Sequence, residues 1–261
     1  MSFFNVRGKT FLITGVANAK SVATSVAKSL KSEGAEIILS VQNEAFVEKV
    51  KRLFPEEAIL CCDVSKEEEI FALGESVAKM GKELSGMLHS LAFARLTPGQ
   101  SFHETSYRDL EEASRISCFS LSKLAHALKS SFARDASVVT ISISSTKATA
   151  YGFLGPIKAM LDATVPYLAK AFSAHSEVRF NAVCAGPLKT SASAGIPGYL
   201  ENYLYAEKLT LRGRALLTQE VANVACFLLA PCSSGINGER IVVDAGMECN
   251  YFDQKIVKAS L

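Results

Sequence analysis

The chain has 261 residues, 49% hydrophobic and 21% charged, a balance that suits a large buried core and excludes a disordered chain. Its 28 basic and 26 acidic residues are interspersed and leave a formal charge of +2, so no basic stripe is offered to a nucleic-acid backbone. No apolar run approaches the ~20 residues of a bilayer-spanning helix, and no charged segment followed by a long apolar one opens the chain, so a cytoplasmic protein without membrane contact is expected.

Taken in order, short β-branched runs alternate with longer helical patterns. Residues 10–14 form a continuous apolar strand, and residues 21–30 carry apolar side chains at helical spacing up to Gly34, which stops that helix. A second strand covers 36–41, a helix follows around 46–53, and a third strand covers 58–62. Ser65 and Glu68 then form the pattern of a capping box opening the next helix. A fourth strand at 86–90 leads into a long helical stretch at 107–133, a fifth strand at 137–143 precedes a segment at 151–171, and further strands fall at 179–184 and 240–243. That alternation predicts an α/β fold: a Rossmann-like, doubly wound parallel sheet of about seven strands with helices on both faces. It is expected to form one domain over residues 1–261.

Seven cysteines are scattered, mostly among apolar residues, in neither a disulfide framework nor a metal-ligand spacing. They read as reduced packing residues, and no metal site is expected. The Gly, Pro and Ser punctuation of 186–214 follows the sixth strand, at the sheet end where open α/β folds bind ligands, so this segment is a candidate substrate cover. An ordinary surface connection is the alternative.

After the first strand the chain reads Gly15-Val16-Ala17-Asn18-Ala19-Lys20-Ser21-Val22-Ala23, a small-residue turn entering a helix. Backbone N–H groups at such a helix start can face a pyrophosphate, although the three-glycine fingerprint is missing. Gln42, just past the second strand, stands where these folds meet the adenosine ribose. Its neutral side chain favours NADH over NADPH. Asp63 follows the third strand and has two readings, acceptor for an adenine amino group or helix cap. His89 is expected to be a buried, hydrogen-bonded histidine without a catalytic role.

Several segments together resemble the short-chain dehydrogenase/reductase superfamily and, within it, the NADH-dependent enoyl-acyl-carrier-protein reductases. They are Gly15 through Ala23, Ser40-Val41-Gln42-Asn43, Cys62-Asp63-Val64, His89 through Ala94, Tyr151 with Lys158, Gly186 through Thr190, and Gly195-Ile196. Six residues separate Tyr151 from Lys158, the spacing of the enoyl reductases, against three in the wider superfamily. The resemblance implies hydride transfer from NADH to the β-carbon of a trans-2-enoyl thioester on an acyl-carrier protein, in a homotetramer. It implies Tyr151 as the donor to the thioester oxygen, Lys158 on the nicotinamide ribose, and Gly15, Ser21 and Val22 by the pyrophosphate. Gln42 would meet the adenosine ribose, Asp63 and Val64 the adenine, and Ser90 and Leu91 the path to the nicotinamide. Leu188, Lys189, Thr190, Ser191 and Ala192 would flank the nicotinamide, with Ala94 near the acyl substrate.

The chain departs from that pattern at Ile143, where the family has a second tyrosine, and in a loop about two residues shorter before Tyr151. Ser144 or Ser145 is the candidate for the missing hydroxyl. Pro156 falls in the segment expected to be helical. These departures keep two alternatives open: a divergent reductase of a carbonyl or another enoyl substrate, and a nucleotide-binding oligomer without catalysis.

Overall fold

The computed structural model describes residues 3–190, Ser193, Ile196, 198–250 and 252–259. Seven parallel strands form one open sheet in the order β3-β2-β1-β4-β5-β6-β7. They are β1 (Thr10–Thr14), β2 (Glu36–Val41), β3 (Ala58–Cys61), β4 (Leu84–His89), β5 (Phe132–Ile143), β6 (Arg179–Ala185) and β7 (Arg240–Val243). The helices are α1 (Val22–Ser32), α2 (Glu44–Lys51), α3 (Glu67–Lys79), α4 (Tyr107–Ser114), α5 (Ser120–Ala127), α6 (Leu154–Phe172), α7 (Tyr199–Leu209), α8 (Thr218–Leu229) and α9 (Gln254–Ala259).

Both faces of the sheet are covered, which is why its strands read as unbroken apolar runs. Successive side chains of a strand point to opposite faces. Phe11 and Ile13 of β1 accordingly join one core with Val26 of α1 and Val221 of α8. Leu12 joins the other, with Leu121 of α5 and Leu161 and Val165 of α6. Near the far edge of the sheet Arg179, only 6% exposed, donates to the carbonyls of Leu228, Ala230, Ser233 and Ile236 and to Ser233 Oγ, so its burial costs no unmet hydrogen bond.

Three expectations change, while Pro156 falls within a helix as expected. The stretch at 107–133 is not one helix: α4 and α5 are joined by a π-helical turn, Arg115–Phe119, and β5 begins at Phe132. Ser117 sets that turn, since its hydroxyl donates to Phe93 O and accepts from Phe93 N–H. The capping box at Ser65 does not form, because Asp63 Oδ1 accepts the Ser65 N–H at 3.0 Å and delays the start of α3 to Glu67. Glu69, not Glu68, reaches back, to Asp63 N at 2.7 Å. Pro156 lies in the first turn of α6, where a missing N–H is harmless, and the proline inside that helix is Pro166. The segment 186–214 contains a full helix, α7.

Candidate active site

A cleft of about 650 Å³ opens at the carboxyl ends of the strands, where the chain leaves β1 and β4 in opposite directions. Its floor on the β1 side is the turn from Gly15 to Asn18. Gly15 has φ +85°, and a Cβ there would lie 2.0 Å from the Ser90 carbonyl oxygen, so glycine is required where the two strand ends meet. Asn18 O accepts from the hydroxyls of Ser21 and Thr24, at 3.2 and 2.7 Å. Ser21 in turn caps α1 by accepting the Thr24 N–H. The positive end of α1 therefore points into the cleft, with no acidic residue in its first turn to compete with an anion.

Gln42, Asp63 and Val64 line the far end of the same cleft. Burial pushes the Asp63 carboxyl up, but the Ser65 hydroxyl and N–H, Lys66 and the Gln42 amide outweigh it, and Asp63 stays below its ordinary value. Asp63 therefore does not cap α3, whose N-cap Lys66 makes no side-chain cap bond; it organises the turn before that helix and also borders the cleft.

Ser90, Leu91 and Ala94 line the middle, and Leu188 and Thr190 the opposite wall. Thr14 binds the two halves together, its hydroxyl donating to Leu88 O at 3.0 Å and accepting from Ser90 N–H. Lys158 is 3% exposed and donates to the carbonyls of Ile141 at 2.9 Å and Leu91 at 3.3 Å. Burial pulls its pKa down to about 8, against the opposing charge of Asp162 one helical turn away. Tyr151 stands on the 3-10 turn Thr149–Tyr151 just before α6, in the cleft with Lys158. Burial, then the neighbouring Tyr199, raise the Tyr151 phenol well above its ordinary value and keep it protonated. His89 is fully buried between the hydroxyls of Thr140 and Ser120, each at 2.8 Å, and burial lowers its pKa to about 3, so it is a neutral packing residue.

Lys189 is exposed and outside the lining, and Ser191, Ala192 and Gly195 lie outside the described residues. Ile143 lines the cleft as expected, but neither Ser144 nor Ser145 does. Ser144 is 2% exposed, its N–H donating to Ala185 O and its carbonyl accepting from Arg240. Sequence reasoning missed Thr14, Ile116 of the π-helical turn, Ser142 and Tyr199, which all line the cleft. A hydroxyl closing an apolar strand was the available signal for Thr14. Tyr199, deep in an irregular stretch, offered none.

A sequence model of the enoyl-(acyl carrier protein) reductases matches residues 15–248. The chain belongs to that family. An enoyl-acyl-carrier-protein reductase (NADH) from Buchnera aphidicola subsp. Schizaphis graminum is 32% identical, over 94% of this chain and 96% of that protein. The reductase (NADH) from Nostoc sp. is 34% identical over 94% and 98%. One from Staphylococcus aureus, named for NADPH, is 32% identical over 93% and 97%. The crystal structure of the reductase (NADH) from Aquifex aeolicus VF5 superposes with a TM-score of 0.87 at 31% identity, covering 93% of this chain and 97% of that one. Membership of the enoyl reductase family thus agrees with a doubly wound sheet bearing Tyr151 and Lys158 in one cleft.

Proposed function

We propose that this chain is a cytoplasmic enoyl-acyl-carrier-protein reductase that uses NADH to saturate a trans-2-enoyl thioester in fatty acid elongation. The observation that carries the reading is the placement of Tyr151 and Lys158, separated by six residues in sequence, in the cleft that receives the N-terminus of α1. The residues fit a dinucleotide: α1 and Ser21 suit its pyrophosphate, Gln42 and Asp63 its adenosine end, and Lys158 its nicotinamide ribose. Ser142, beside Cys184 in the strand pairing, adds a buried hydroxyl to the lining of the cleft. When bound, NADH supplies the hydride.

Hydride arriving at the β-carbon of a conjugated thioester moves negative charge onto the thioester oxygen. A neutral phenol held in a cleft is suited to meet that charge with a hydrogen bond, an arrangement worth on the order of 3 kcal/mol in the transition state. The raised pKa of Tyr151 keeps its proton available for that bond. Leu188, Thr190 and Tyr199 of α7 line the cleft, which supports reading the first two as neighbours of the nicotinamide and α7 as part of a substrate cover within one domain.

A homotetramer belongs to the same reading. Tyr107, Phe119 and Tyr167, 85%, 49% and 80% exposed, lie on α4, the π-helical turn and α6, which pack against each other and leave aromatic surface for a second subunit. Among the described residues no helix is long and apolar enough to cross a membrane. Purified protein should oxidise NADH when given a crotonyl thioester on acyl-carrier protein. Oxidation with an acetoacetyl thioester alone would assign the chain to carbonyl reduction instead, an outcome that the apolar Ile143 in the cleft keeps worth measuring.

A further inference from the structure

We propose that Tyr199 positions Tyr151, so that the first residue of α7 holds the catalytic phenol in place. This rests on the reading of Tyr151 as the hydrogen-bond donor to the substrate.

Tyr151 sits on a single 3-10 turn and is followed by Gly152 at φ +57°, so neither a strand nor a full helix holds it directly. The strand end facing it contributes Ile143, whose side chain has no polar group to orient a phenol. Tyr199 lies across the cleft wall with its ring edge-on to Tyr151, centroids 6.4 Å apart and planes at 77°. This is the arrangement that aromatic quadrupoles favour.

Tyr199 is itself immobilised. Its hydroxyl accepts the Leu188 N–H at 2.8 Å and donates to the Leu188 carbonyl at 2.9 Å, using both functions of one phenol on one residue. Ser193 Oγ, 2.8 Å from the same carbonyl, ties the turn between them. Leu188 lines the cleft, so the chain Leu188, Tyr199, Tyr151 links the wall after β6 to the reacting centre. A ring fixed at its hydroxyl end can support a second ring only in one orientation, and this is what a donor on a short turn requires. The Tyr199 oxygen also opposes ionisation of Tyr151, which keeps the donor neutral.

The full-length protein and its Tyr199→Phe and Tyr199→Leu variants test this with two readouts. The first is nitration of Tyr151 by tetranitromethane, followed by peptide mass spectrometry, with the exposed Tyr167 as internal reference. Nitration follows the tyrosinate fraction, and Tyr199 opposes ionisation of Tyr151 behind the larger effect of burial, so Tyr151 should react severalfold faster relative to Tyr167 in Tyr199→Leu and by an intermediate factor in Tyr199→Phe. The second is turnover of the crotonyl thioester. Losing the tether in Tyr199→Phe should lower kcat about tenfold, and losing the ring in Tyr199→Leu about a hundredfold, with the KM for NADH within about twofold.

Unchanged relative nitration of Tyr151 in both variants overturns the inference whatever the turnover. If Tyr199→Leu does not fold, Tyr199→Phe alone decides, by the same criterion. A wild-type protein that leaves crotonyl thioester untouched, while Tyr151 nitration responds to both substitutions, would overturn the enoyl reading and leave the positioning intact.

Discussion

Replacing Lys158 by methionine keeps the apolar stem and removes the buried charge, and the consequence should be visible in how stability varies with pH. In the unfolded chain this amine titrates near its ordinary 10.5, whereas in the fold burial brings it down to about 8. Below pH 8 both states carry the proton and the fold bears the full cost of the buried ammonium, an interval that corresponds to about 3 kcal/mol. Between about 8 and 10.5 the unfolded chain still holds the proton while the folded one releases it. Unfolding then takes up a proton, so stability rises with pH. Integrated from pH 7 to 9.5, the gain is about 2 kcal/mol.

Other groups titrate over the same range. Burial raises the thiols of Cys62 and Cys226 to about 12, and these contribute the opposite slope above their ordinary value of 9.0. They are common to both proteins and cancel in the difference. Urea unfolding followed by far-ultraviolet circular dichroism, for wild type and Lys158→Met at pH 7, 8, 9 and 9.5, should give a difference that moves in favour of wild type by about 2 kcal/mol. A difference that stays flat would show that Asp162 neutralises the burial cost, and the account of Lys158 as a strained cation would fail.

Tyr151→Phe should reduce kcat on a crotonyl thioester by about 10²- to 10³-fold, with NADH affinity little changed, as steady-state kinetics and fluorescence titration would report. Gly15→Ala introduces a Cβ at φ +85°, 2.0 Å from Ser90 O, so it should both lower the melting temperature and abolish measurable NADH binding. Arg179→Leu removes the charged hydrogen bonds to the carbonyls of Leu228, Ala230, Ser233 and Ile236 and to the Ser233 hydroxyl, each carbonyl keeping another donor, a destabilisation on the order of 3 kcal/mol in urea unfolding at an unaltered cleft. Gln42→Arg places a cation where a 2′-phosphate would sit, and the ratio of kcat/KM for NADPH to that for NADH should rise.

The strands were legible because a sheet covered on both faces demands apolar residues at nearly every position, and β1, with all five residues buried, shows that demand most plainly. The turn after β1 was legible from its small residues, and the pair Tyr151 and Lys158 from its spacing within a family pattern. What escaped was decided by contacts between distant segments. Ser117 breaks the long helix because its hydroxyl meets the backbone of Phe93, a partner 24 residues away that no helical periodicity reveals. Asp63 displaced the capping box by taking the Ser65 N–H first. Ser144 carries a hydroxyl in the right stretch of sequence, yet β5 pairs with β6 up to Ile143, and the bond from Ser144 N–H to Ala185 O draws the next residue away from the cleft. Tyr199 could be recognised only after α7 had brought it against Tyr151.

The meeting of β1 and β4 at the middle of the sheet divides the chain's recognition tasks. Gln42 and Asp63, which the proposed function gives to the adenosine, come from the first quarter of the sequence, whereas Tyr151, Ile143 and Tyr199 come from the second half. Cofactor preference and acyl preference can therefore drift, or be engineered, as nearly separate traits, with substitutions in one region leaving the other's geometry alone. Thr14 is the exception, because its one hydroxyl clasps the end of β1 to the end of β4 at Leu88 and Ser90. A lineage can retune either flank of this cleft freely only while that clasp is kept.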